Sequence, residues 1–426
     1  MARSIDMALG RRIDAWAGLA ICALLYGASR LHARLGGPPQ PPLGAPTPPV
    51  AGAPLPPPRR VLAIKLWGLG NVAMILPVLD ALRRGAPGVE IDFLTFAGNR
   101  ALLERSGVVE RVLGLEVGSW PALLRSGWSA FRTLRARRYD LAVDFEQFAK
   151  LPAIVAYLSG APRRIGFVTD GQRRHWLFTT RVAYCDGEHM RQIFLRLLRP
   201  LGIEPRLRPP SLAVRPEERA RVAELLTARG IAPDHAPIVA VHVGCAPSST
   251  GVPLKRWPVA SFAAVADALV ERHGAAVVFT GQGEEERGLV REALAAMRHP
   301  AIDACDGLGL GELIALLEAC DAVLTNDTSV LHLAGAVGTP VAALFGPTNP
   351  QQYGPWHPGD LVFWRGLHCS PCLTNYNSKV STCPDPVCIR SIAPEEVLEA
   401  IEKRLLGSGA EPGRRRARAG APGAQA

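Results

Sequence analysis

Aromatic residues are scarce, only 6% of the 426, while 48% of the chain is hydrophobic and Ala, Leu, Gly and Arg are plentiful. That balance argues against a disordered chain and fits an α/β enzyme better than a β-sandwich. Long apolar runs are short as well. The stretch "AWAGLAICALLYGAS" at residues 15–29 holds fifteen uncharged residues, fewer than the roughly 20 that a spanning helix needs. Arg3, Arg11 and Arg12 precede it and Arg30 and Arg34 follow. Positive charge on both sides favours an element kept at a cytoplasmic membrane face over a cleaved signal peptide. The expectation is an interfacial or shallow anchor, with a true span and a packed helix as alternatives.

No nucleic-acid-binding motif accompanies the net charge of +10, and part of the excess lies in the tails, as in "RRRARAG" from Arg414. An anionic membrane surface or a phosphorylated ligand accounts for it more simply than nucleic acid. The nine cysteines are scattered except for Cys369, Cys372, Cys383 and Cys388, which points to a reduced, cytoplasmic-side location. Structural zinc, an oxidisable pair and a plain loop are all open for that cluster. There is no repeat at a fixed period.

Eleven prolines in residues 37–58 make a tether rather than a core. Beyond it, buried-strand patterns at Val61–Ile64, Val89–Phe96, Leu141–Phe145 and Arg163–Val168 alternate with helices. A Pro- and Arg-rich segment around Pro200–Pro237 then precedes a second series at Pro237–Gly244, Ala275–Gly281, Asp321–Asp327 and Pro340–Gly346. Alternation of this kind predicts two parallel-sheet domains, residues 59–210 and 211–405. An N-terminal segment (1–36), the linker (37–58) and a basic tail (406–426) complete the chain.

Ligands of open parallel sheets sit beyond the carboxyl ends of the strands, with phosphates on helix N-termini. Three loops of the second series have that character. In "LTNDTSVLHLAGAVG", Thr328 or Ser329 can cap a helix, and His332 falls one turn in. In "APSSTGVPLKRWP", Ser249 and Thr250 precede Lys255, a point charge suited to a diphosphate. In "GQGEEERGLV", Gly281 and Gly283 allow a tight turn, and a glutamate can reach ribose hydroxyls. The third glycine of the dinucleotide fingerprint is missing from this turn, which argues against a nicotinamide-dependent oxidoreductase. Taken singly, each loop also fits a plain capped turn or solvated surface; together they are expected to converge on one cleft.

The set resembles glycosyltransferase family 9, the heptosyltransferases of lipopolysaccharide core synthesis. The resemblance rests on "IKLWGLGN" at residues 64–71, the "KRWP" loop, the "GxGEEER" turn and the stretch from Asn326 to Trp356, and it spans roughly Arg60 to Leu405. It implies a GT-B fold: two Rossmann-like domains with parallel sheets facing a central cleft. The acceptor would lie on the first domain and the sugar nucleotide, ADP-heptose foremost, on the second. Transfer would be inverting and metal-independent, with no cofactor beyond the co-substrate. The acceptor would be a lipopolysaccharide-core or other lipid-linked glycan at the cytoplasmic face of the inner membrane.

By the family's motifs, Asp327 would hold sugar hydroxyls, and Thr328, Ser329 and the backbone at Val330 would meet the diphosphate with His332 nearby. Lys255 would neutralise the leaving group and Glu286 would bind ribose, while Lys65, Gly70, Asn71 and Glu146 would line the acceptor side. The family's base is thought to be the aspartate closing "LGD", and here that position is Asn71. An amide accepts no proton at neutral pH. Three readings follow: Asp144 or Glu146 supplies the base; Asn71 positions an acceptor that loses its proton late; or the protein binds sugar nucleotides or glycans without turnover.

Overall fold

A computed structural model describes residues 7–35, 55–203, 206–231, 237–245, 253–377 and 379–404. The chain divides into two compact units, Met1–Pro210 and Ser211–Ala426.

The first unit runs α1 (Met7–Arg34), β1 (Arg60–Ile64), α2 (Leu69–Gly85), β2 (Glu90–Phe96), α3 (Arg100–Glu104), β3 (Arg111–Leu115), α4 (Trp120–Arg137), β4 (Leu141–Asp144), α5 (Leu151–Leu158), β5 (Arg163–Val168), β6 (Thr180–Ala183) and α6 (Met190–Leu195). Its six strands are all parallel, in the order β3-β2-β1-β4-β5-β6. The strand order reverses between β1 and β4, where Val61 pairs with Leu141 and Ile64 with Asp144.

The second unit repeats the plan with α7 (Pro216–Thr227), β7 (Ile238–His242), α8 (Val259–His273), β8 (Ala276–Thr280), α9 (Gly283–Ala296), β9 (Ile302–Asp303), α10 (Leu310–Ala319), β10 (Ala322–Asn326), α11 (Ser329–Ala336), β11 (Val341–Phe345), α12 (Pro350–Tyr353), β12 (Leu361–Trp364), α13 (Val387–Arg390) and α14 (Pro394–Arg404). Read from the other edge, its sheet order β9-β8-β7-β10-β11-β12 is the same winding, with the reversal between β7 and β10. Both sheets thus have the doubly wound order of dinucleotide-binding folds.

The central strands are continuous apolar runs because helices cover both faces of a parallel sheet. In β7, β8, β10 and β11 every residue is buried. The sequence patterns located these central strands to within a residue or two but not the edge strands β3, β6, β9 and β12. Edges are short and half-wet, so their patterns are broken: β3 reads "RVLGL", with only two of its residues buried.

The N-terminal apolar stretch is a 28-residue helix packed on the first unit. Asp14 accepts hydrogen bonds from the backbone N–H of Lys150 (2.9 Å) and Leu151 (2.7 Å). It thereby caps α5, whose own N-cap residue supplies no side-chain bond, a contribution of about 1 kcal/mol. Gly18 lets the helices meet, since a Cβ there would stand 3.0 Å from the Lys150 Cβ. Cys22 and Tyr26 are buried in a core shared with Leu62 and Ile64 of β1, Ala130 and Leu134 of α4, and Ala153 of α5. No helix among the described residues is long and apolar enough to cross a membrane. Most of the Pro-rich linker and the basic tail lie outside the described residues.

Candidate active site

The candidate side chains of each unit collect at or near the carboxyl ends of the strands flanking its reversal, where a doubly wound sheet leaves a crevice for ligands.

In the second unit, β10 ends at Asn326 and α11 starts at Ser329, with Thr328 as N-cap. The Thr328 hydroxyl accepts the Val330 N–H at 3.3 Å, and Thr325 Oγ1 lies 3.2 Å from it. Asp327, between strand and cap, is buried and takes Lys255 Nζ at 2.7 Å. Burial raises the Asp327 carboxyl, but the charge and hydrogen bond of Lys255, with help from Lys379 and Thr348, outweigh it and hold the group below its ordinary value. Ser329 and His332 are half-buried in the first turn and a half of α11.

Asn326 was not singled out from the sequence, yet it fastens the site. Its Oδ1 accepts the Trp257 N–H at 3.0 Å, and its Nδ2 donates to the carbonyls of Val243 and Gly244, both at 3.1 Å. Trp257 is fully buried, and its indole N–H donates to the Ile392 carbonyl at 3.0 Å. A lysine two residues before so fixed an anchor is held where Asp327 can meet it. Ser249 and Thr250 of the same loop lie outside the described residues.

Glu286, in the first turn of α9, folds back over the ends of β7 and β8. Its Oε2 accepts the Gln282 N–H at 2.8 Å, and its Oε1 lies 3.9 Å from His242 Nε2. The other His242 nitrogen sits 3.1 Å from Thr280 Oγ1. Burial lowers the His242 pKa, against the smaller opposing effects of Glu286 and Thr280, so the ring is neutral at pH 7. Two glycines make room for the carboxylate. A Cβ at Gly244 would fall 2.0 Å from Glu286 Oε1, and one at Gly281 would fall 3.1 Å from the Glu286 Cβ. Only the second of these was visible in the sequence as a turn glycine.

In the first unit, the turn between β1 and α2 carries "KLWGLGN". Gly68 takes φ +84, which glycine tolerates, and a Cβ there would also approach Asn71 Nδ2 to 2.8 Å. Gly70 and Asn71 are the second and third residues of α2. Below them lies a buried polar network. Glu146 Oε2 accepts from Lys65 Nζ at 2.7 Å, while Oε1 accepts the backbone N–H of Leu66 at 2.9 Å and of Trp67 at 3.3 Å. Gln147 Oε1 is a second partner for Lys65, at 3.2 Å. Asp144 is fully buried; Oδ1 accepts the Glu146 N–H at 2.9 Å and Oδ2 pairs with Arg174, itself buried. Burial pushes the Asp144 carboxyl up to about 7 against the pull of Arg174. All four oxygens of these carboxylates are therefore in use.

The cysteine cluster lies by the end of β11. A Cβ on Gly346 would come 3.3 Å from the Cys388 Sγ, and the Cys372 N–H donates to the Pro347 carbonyl at 2.9 Å. Burial, reinforced by Cys372, Cys369 and Cys383, pushes the Cys388 thiol up to about 11. All four are free thiols, and no group of three or more His, Cys, Asp or Glu among the described residues is arranged to hold a metal ion.

The family model described as glycosyltransferase family 9 (heptosyltransferase) matches residues 128–381. Lipopolysaccharide heptosyltransferase 3 of Escherichia coli is 25% identical over 346 residues, covering 80% of this chain and 97% of that protein. Lipopolysaccharide heptosyltransferase 1 of Pseudomonas aeruginosa is 27% identical over 374 residues, covering 82% and 98%. Among solved structures, a family 9 glycosyl transferase from Veillonella parvula matches with a TM-score of 0.69 at 24% identity, over 82% of this chain and 97% of that one. The E. coli ADP-heptose LPS heptosyltransferase II matches with a TM-score of 0.66 at 23% identity, over 82% and 100%. These two similarities establish the fold, two Rossmann-like units of GT-B type. The family match covers more than half of the sequence, and the chain belongs to glycosyltransferase family 9 and is a glycosyltransferase.

Proposed function

We propose that the protein transfers a heptose from ADP-heptose to a lipopolysaccharide-core or other lipid-linked glycan, with inversion at the anomeric carbon and without a metal ion. The observation that carries this reading is the Lys255–Asp327 pair at the N-terminus of α11. Lysine and the helix N-terminus together supply the positive charge that a departing diphosphate needs. The relatives named as lipopolysaccharide heptosyltransferases support the choice of sugar and acceptor.

In this mechanism the diphosphate lies on the N–H groups of Ser329 and Val330 with Thr328 and His332 beside it, and Lys255 bridges from Asp327 to the phosphate oxygens. Asp327 then turns to the sugar hydroxyls, and Glu286, with Gly281 beneath it, takes the ribose. The acceptor oxygen bonds to the anomeric carbon as the bond from that carbon to the diphosphate oxygen breaks. The electron pair leaves with the diphosphate.

The acceptor side is the β1–α2 turn, with Gly70 and Asn71 at its surface and Lys65 and Glu146 beneath. Because Glu146 and Asp144 spend every oxygen on internal partners, the reading favoured here is that Asn71 orients the acceptor hydroxyl. The proton passes to water late, as the new bond forms. Work on a lipid-linked acceptor places the protein at the cytoplasmic face of the inner membrane, held peripherally.

The test is release of ADP from ADP-heptose with a lipid extract as acceptor, comparing the natural protein with Asn71→Asp. Turnover by the natural protein is expected, with a faster Asp variant. Turnover by the variant alone would replace this reading with a sugar-nucleotide-binding protein that does not transfer.

A further inference from the structure

Most of the large apolar side chains that the described residues leave exposed lie on three helices of one unit: α1, α4 and α5. These helices share one layer. Cys22 and Tyr26 of α1, Ala130 and Leu134 of α4, and Ala153 of α5 enter the same core. Asp14 bonds α1 to the start of α5, and Arg135 of α4 donates to the Leu158 carbonyl at its end. The inner faces of the layer are thus accounted for, and its outer faces carry large apolar side chains among the arginines. On α4, Trp120, Leu124 and Trp128 recur every four residues as a helical stripe, with Leu124 69% and Trp128 64% exposed. On α1, Trp16 is 79% exposed, and Leu24 and Leu31 continue along its outer side.

The charge carried by α4 itself has one sign. Helix α4 contains Arg125, Arg132, Arg135 and Arg137 and no acidic residue. Arg137 is spent on Glu90 and Asp92, but Arg125 and Arg132 are exposed with no acidic partner among the described residues. In α1 the single acid, Asp14, is consumed in capping α5, leaving Arg30 and Arg34 beside Leu31.

We propose that the α1–α4–α5 layer is the surface by which the protein docks on an anionic lipid bilayer. Tryptophan and leucine enter the headgroup and acyl boundary, while the arginines meet lipid phosphates. The chemistry favours lipid over a second copy of the chain. A two-fold contact through this face would bring two sets of these arginines together, with no acid on α4 to offset them. The inference rests on the proposed lipid-linked acceptor and carries it further, from membrane association to the surface that produces it. It also gives the interfacial anchor expected of the N-terminal segment the form of a helix packed on its own domain.

The test is cosedimentation of the full chain with phosphatidylcholine vesicles and with vesicles containing equal parts of phosphatidylglycerol. The natural protein is expected to bind the anionic vesicles and to bind neutral ones much more weakly. Arg125→Glu with Arg132→Glu should cut the anionic binding by about tenfold or more, and Trp120→Ser with Trp128→Ser should cut it on a similar scale. Both variants should keep the natural rate on a deacylated, water-soluble acceptor. Absence of binding by the natural protein, or full binding by both variants, would overturn the proposal. So would a concentration-dependent dimer that the Trp120→Ser, Trp128→Ser variant abolishes. Vesicle binding without transfer to any acceptor would leave the surface standing and remove the proposed reaction instead.

Discussion

Lys255 Nζ and Asp327 Oδ2 stand 2.7 Å apart at the N-terminus of α11, although 72 positions separate them in the chain. Neither side chain is fully exposed, and the lysine holds the Asp327 carboxyl below its ordinary value. In the proposed reaction an incoming diphosphate competes for the lysine, which frees the aspartate for sugar hydroxyls.

Lys255→Ala should therefore lower kcat by about 10²- to 10³-fold, the usual cost of losing one preorganised charge at a developing anion. It should also lower the melting temperature, because Asp327 is left buried without its main partner. Steady-state rates with ADP-heptose and a thermal melt test both parts. A melt unchanged from the natural protein would mean that the pair adds nothing to folding.

Gly244→Ala should weaken ADP binding about as much as Glu286→Ala, because the added methyl group occupies the position of Glu286 Oε1. The double variant should then be no worse than either single one, since both remove the same interaction. Calorimetric titration with ADP reads this directly. Additive losses would mean that Gly244 acts independently of the glutamate.

Glu146→Ala should destabilise the first unit by about 3–5 kcal/mol, leaving Lys65 buried with its main partner removed. Glu146→Gln keeps an acceptor for the Leu66 and Trp67 N–H groups and should be milder. ADP affinity, which the proposed mechanism assigns to the second unit, should not change in either variant. A loss of ADP binding in Glu146→Gln would contradict this division of roles.

Asp144 carries a raised folded pKa, from 3.8 to about 7, so between those values folding takes up a proton. Its contribution is fully present below the unfolded value and is lost as pH rises through about 7. Asp144→Asn should flatten that part of the stability curve, as read by urea unfolding across the range. Asp327 has the opposite sign, since its depressed pKa makes its contribution present above the ordinary carboxylate value and lost as pH falls.

The sequence made the central strands legible because their residues are apolar on both faces, and the loops after them because ligand-facing chemistry needs Lys, Asp and Thr within short runs. "NDTS" could be read as strand end, carboxylate and cap without any coordinates, and Thr328 is the cap. The role of Asn326 was not legible, because its partners Val243, Gly244 and Trp257 lie 69 to 83 positions away. Glu146 looked like a spare acid for the same reason. Nothing near it in the chain announces that both its oxygens are occupied by β1 and the turn beyond.

Alternation of apolar runs and helices determined, by itself, that two parallel sheets would form, since each run needs cover on both faces. The order of residue types in "NDTS" determined that a capped helix N-terminus would follow β10. Tertiary structure alone decided which charges are available. It gave Lys255 to Asp327, withdrew Asp144 and Glu146 into internal bonds, and packed one face of the N-terminal helix while leaving Trp16 exposed. Such outcomes turn on distances of a few ångströms between segments far apart in the chain, and hydrogen bonds and burial act over those distances rather than along the sequence.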